Sequence, residues 1–150
     1  MKTLQARASG LPALLFAVLL CALSAAAPAE GLSAGTDPGK GPVAKELEDG
    51  LLVQFEILPR PIKAMKDLVF SVTLSRAGKP VTDAELLLDL TMPAMYMGKN
   101  SPVLTQAGAG RFEAKGLLPR CMSGDKRWQA ELLIREGTGT HRVVFLFETT

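Results

Sequence analysis

Apolar residues recur at every second position through the last two thirds of the chain, and this period constrains the fold more than any other feature. Leu51, Val53, Phe55 and Ile57 alternate with neighbours that include Gln54 and Glu56. Leu68, Phe70, Val72 and Leu74 alternate with Val69, Ser71 and Thr73, and Leu86, Leu88 and Leu90 with Glu85, Leu87 and Asp89. Arg111 to Lys115 follows, then Trp128, Ala130, Leu132 and Ile134, and finally Val143, Phe145 and Phe147. A side chain turns to the opposite face at each step of a strand, so this pattern predicts half-buried strands rather than helices. Turn residues punctuate the runs at Pro59-Arg-Pro61, Arg76 to Pro80, Gly108-Ala-Gly110, Ser123-Gly-Asp125 and Gly137-Thr-Gly139. Strands are expected at 51–58, 68–74, 84–91, 102–106, 111–115, 127–134 and 142–148. Seven short strands at this spacing point to an all-β, seven-stranded antiparallel immunoglobulin-like β-sandwich, with an open-ended barrel as the alternative.

The N-terminus reads differently. Lys2 and Arg7 precede an apolar run from Leu11 to Ala27, and Ala27-Pro28-Ala29 fits a small-x-small cleavage site. Residues 1–29 are therefore expected to be an export signal, placing the protein in the periplasm or otherwise outside the cytoplasm. The run is short for a membrane span, although a retained N-terminal anchor stays open. Leu20 argues against lipoprotein processing at Cys21. Residues 30–49, rich in Gly and Pro, read as a flexible leader, and 50–150 as one domain large enough for its own core.

Removing the signal changes the charge. It holds two of the 17 basic residues and none of the 15 acidic ones, so the remainder is balanced. No block of like charge suggests binding to nucleic acid or to an anionic membrane surface. Cys121 is left without a partner for an intramolecular disulfide, so it is either buried or employed, for instance on a metal.

The segment Thr91-Met92-Pro93-Ala94-Met95-Tyr96-Met97-Gly98 packs three methionines into what reads as a turn. Antiparallel succession puts the loops after the first, third and fifth strands at one end of the sandwich. Met65, Met92, Met95, Met97, Cys121 and Met122 all map there. His141, at the start of the last strand, maps to the other end, about 20 Å away for a strand of seven residues. An all-sulfur set without a nitrogen ligand disfavours Zn(II) and Cu(II) and favours Cu(I). The candidate metal ligands are Met95, Met97, Cys121, Met122 and Met92. Each has a plainer reading. Met92 continues the inward parity of Leu86, Leu88 and Leu90 and can be core. Met122 and Cys121 point apart if extended, and Met65 can cap the hydrophobic end. Trp128 has core parity. No phosphate loop, nucleophile–base pair or paired-carboxylate motif is present, so no catalytic residues are expected and the protein is not read as an enzyme.

These pieces carry a resemblance. Gly78-Lys-Pro-Val81, the Thr91–Gly98 turn, Ser101–Val103 as a strand, Gly108-Ala-Gly-Arg-Phe112 and Met122-Ser-Gly124 leading to Trp128 resemble the YtkA-like family of exported domains, and more distantly FixH- and CopC-type domains. The resemblance implies a small β-sandwich, with some relatives tied to copper handling and supply to cytochrome oxidase. The turn lacks the histidine often found among the family's methionines, and Cys121 stands where an apolar residue is expected. Both departures point to a purely sulfur Cu(I) set or away from metal. The functional expectation is an exported Cu(I) chaperone or carrier serving a copper-receiving membrane protein such as a terminal oxidase. The alternative is a non-metal interaction module docking on a membrane-protein partner.

Overall fold

The structure is a computed structural model that describes residues 36–150; the expected export signal and the first residues of the expected leader lie outside them. The described chain is all-β. Its strands are β1 (Val43–Glu46), β2 (Leu51–Leu58), β3 (Leu68–Arg76), β4 (Lys79–Pro80), β5 (Ala84–Thr91), β6 (Thr105–Gly108), β7 (Arg111–Gly116), β8 (Arg127–Glu136) and β9 (Gly139–Glu148). One antiparallel sheet has the order β1-β2-β3-β7-β6, with β4 added to β3, and the other the order β5-β8-β9.

The alternation seen in the sequence becomes the core directly. β2 is buried at every odd position from Leu51 to Ile57, and its register sets Val53, Phe55 and Ile57 opposite Leu74, Val72 and Phe70. On the facing sheet Trp128, Ala130, Leu132 and Ile134 alternate inward along β8, and Val143, Phe145 and Phe147 along β9. The two faces meet in one hydrophobic cluster. Phe55 and Phe145 stack across it with centroids 4.9 Å apart, a contact that fastens one sheet to the other. Arg76 on β3 adds a polar clasp at one end, bonding Glu136 of β8 at 2.6 Å and Asp49 at 2.7 Å.

Two strands depart from the sequence reading, and so do several boundaries, β9 among them, which begins at Gly139 rather than at 142. Val43–Glu46 lies in the segment read as flexible leader, yet it pairs with β2 from Val43↔Phe55 to Glu46↔Leu52. Only Val43 of these four residues is buried, so there is no period to read, and the pairing is decided by the open edge of β2. Lys45 ties the strand across the sandwich, its Nζ bonding the Val144 carbonyl and lying 5.0 Å from the Phe145 ring centroid. β4 is a two-residue return after Ala77-Gly78, both at positive φ as a tight hairpin requires; Pro80 disguised it as turn. The strand expected at 102–106 begins only at Thr105. Pro102 has no N–H to give, and Val103 is exposed. Among the described residues nine strands therefore stand where seven were expected.

The loops 59–67, 92–104 and 117–126 leave the sheets at a common end and are bonded together. Met65 N donates to Leu118 O at 2.8 Å and Asn100 Nδ2 to Leu117 O at 3.0 Å, while Thr149 N, just past β9, holds the last of these loops through Lys126 O at 2.9 Å. His141 sits at the opposite end, its Nε2 3.3 Å from Asp49 Oδ2.

Phe145→Ala should destabilise the fold by about 3–5 kcal/mol, the usual cost of emptying a buried aromatic site, as read by urea denaturation. Gly110 has φ +68°, and a Cβ there would meet Leu74 O at 2.6 Å. Gly110→Ala should cost about 2 kcal/mol or more in the same measurement.

Candidate metal centre

Two tight turns build the site. In the first, Met92 ends the inward alternation of β5 and is buried in the core. Pro93 supplies the preset φ for a four-residue reversal, and Met95 N returns to Met92 O at 3.3 Å. This brings Met95 back beside the end of β5, where it is 39% exposed. In the second turn, Gly124 N bonds Cys121 O at 3.2 Å, with Gly124 at φ +78°. The turn holds Cys121 inward at the edge of the core while its neighbour Met122 projects into solvent at 95% exposure.

The turns meet sulfur to sulfur. Cys121 Sγ lies 3.3 Å from Met95 Sδ, close enough for the thiol to donate to the thioether. Ser123 Oγ lies 3.0 Å from the same Sγ. Metal–sulfur bonds of about 2.3 Å at a tetrahedral angle put two ligand sulfurs about 3.8 Å apart, so the pair needs to open by only about half an ångström to clasp one ion. Met95 is accessible and unbranched, and it can make that movement by rotating about its own side-chain bonds.

The Ser123 hydroxyl shifts the Cys121 thiol below its ordinary pKa. Burial opposes that shift, backbone N–H groups of Ser123 and Asp125 reinforce it, and the Asp125 carboxylate opposes it. Thiolate is the form that binds soft metal, so the turn favours the ligating state.

Of the residues singled out by sequence, the structure brings Cys121 and Met95 into contact. Met97 packs half-buried against the core, Met92 is within it, and Met122 stands in open solvent. Met65 is exposed at φ +61°, with its N–H held by Leu118. Trp128 is buried in the core. Among the described residues no three His, Cys, Asp or Glu side chains gather as a metal-binding group. Ser123 was missed by the sequence reading. Its signal was present in Cys121-Met-Ser-Gly124, where a hydroxyl two residues after a cysteine in a tight turn can reach the sulfur.

No family model matches the chain, and no curated protein matches it. A solved structure of a DUF4785 family protein from Legionella pneumophila is similar, with a TM-score of 0.53 at 16% identity. The match covers 68% of this chain and 29% of that one, and identity this low speaks to the fold alone.

The depressed pKa has a direct readout. Alkylation of Cys121 by iodoacetamide should follow a pH profile with its midpoint below that of an ordinary thiol. Ser123→Ala should move the midpoint upward, because the strongest stabiliser of the thiolate is gone.

Proposed function

We propose that this is an exported Cu(I)-binding protein that carries the ion in the cell envelope and passes it to a copper-receiving membrane protein, such as a terminal oxidase. The contact between Cys121 Sγ and Met95 Sδ at 3.3 Å carries the reading. A thiolate and a thioether form a soft donor pair, which selects Cu(I) over the harder divalent ions. On this reading the domain is an immunoglobulin-like sandwich of YtkA-like type, acting by binding and transfer rather than catalysis. Cys121 and Met95 are the primary ligands. Met97 and Met122 are reserve donors on the same two turns, and Met92 is the buried base on which the first turn stands. A site with one sheltered thiolate and accessible thioethers suits hand-over, because an incoming ligand can replace a thioether without dismantling the core.

A second reading is favoured by the exposure of Tyr96 at 84% and Met122 at 95%. On it the methionines are adaptable contact surface for a protein partner, with no metal involved.

Anaerobic titration with Cu(I) against a competing chelator separates the two. Met95→Leu should weaken Cu(I) binding about tenfold and Cys121→Ser about a hundredfold, or about 1.4 and 2.8 kcal/mol. Met65→Leu and His141→Ala should leave it unchanged. Equal affinity in wild type and in a Met95→Leu/Cys121→Ser double variant assigns these residues to contact surface instead.

A further inference from the structure

Beside the sulfur pair lies a cleft of about 440 Å³, lined by four cationic side chains and one carboxylate. Lys63 and Lys66 come from one loop, Arg120 and Lys126 from another, and all four line the cleft. Among the described residues none of them makes an ion pair. The lining carboxylate of Asp125 is already engaged, accepting from Arg127 N at 3.0 Å and lying 3.4 Å from its guanidinium. Four uncommitted cations thus surround a concave space whose wall includes Cys121 and the buried Trp128.

We propose that this cleft receives an acidic segment of a partner protein. Balanced over residues 30–150, charge is concentrated here by folding, and like charges crowded around a cavity attract a segment of the opposite sign. The volume exceeds what a single small anion fills. The cations sit on separate loops, a spacing that suits several carboxylates along one chain. Met65 and Met122 are exposed on the same two loops and offer an adaptable apolar rim, the usual complement to charged contacts in a protein interface. The docking itself rests on the cleft. That it sets a partner's ligands against Cys121 for metal hand-over rests on the Cu(I) reading, and the two claims fail separately.

The test uses hexaglutamate peptide and the apo protein, with fluorescence of Trp128, the single tryptophan, as the reporter. Saturable quenching is expected at low ionic strength, weakening as salt is added. Lys66→Glu/Arg120→Glu should reduce affinity about tenfold or more, and Lys63→Gln/Lys126→Gln should reduce it in the same direction with less perturbation. Lys79→Glu/Arg135→Glu, at the other end of the molecule, should bind as wild type does, with circular dichroism verifying the fold of each variant. Met95→Leu removes one sulfur outside the cleft and should bind peptide normally, so a failed copper titration leaves this result standing. Three outcomes overturn the proposal: equal loss in the remote variant, competition by inorganic sulfate at the peptide's own concentrations, or cleft-dependent binding to phosphatidylglycerol vesicles without peptide binding.

Discussion

The structure depends on two alternating faces being buried against each other, a constraint concentrated in the stack of Phe55 on Phe145 between the sheets. Neither sheet has an apolar face it can leave in water. β2 with β3 supplies one wall, and β8 with β9 the other. Once these walls meet, strand direction is no longer free, and the loops after β2, β5 and β7 must emerge together. The bonds from Met65 to Leu118 and from Asn100 to Leu117 then join loops whose surroundings the core has already set. The Arg76 clasp with Asp49 and Glu136 closes the other end, where His141 also lies.

Within the loop end, a gradient of burial sorts the sulfurs into different roles. Met92 belongs to the core, Met97 leans on it, Cys121 sits at its edge, Met95 is partly open and Met122 is free. The Cys121–Met95 contact lies where the core stops and solvent begins. Deeper burial would penalise the thiolate, and full exposure would leave it unshielded and without a fixed partner. Ser123 adjusts this balance by hydrogen bonding rather than by formal charge. The nearby cations of the cleft give the same end of the molecule an electrostatic character that the opposite end does not share.

The alternating strands were legible because a period of two over six or more residues leaves few other solutions. β1 and β4 were not: one buries only Val43, and the other is two residues with a proline. Pro102 likewise delays the start of β6 relative to the strand expected at 102–106. In the site, parity correctly sent Met92 inward, because it still follows the rhythm of β5. It could not rank Met95 against Met97, since the chain turns at Pro93 and the rhythm ends there. Ser123 escaped notice because a local turn contact carries no long-range pattern.

By itself the sequence determined the all-β character of the described residues, the inward faces of their principal strands, and the gathering of their soft side chains at the end away from His141. Periodicity propagates along a strand, so these conclusions needed no knowledge of loop shape. Tertiary structure alone decided that Cys121 meets Met95, that Met122 is left in water, and that the even charge balance of residues 30–150 hides a basic cleft. The physical reason is range. Burial follows a repeating pattern, whereas a contact of 3.3 Å between two sulfurs depends on the path of two aperiodic turns brought together by everything packed beneath them.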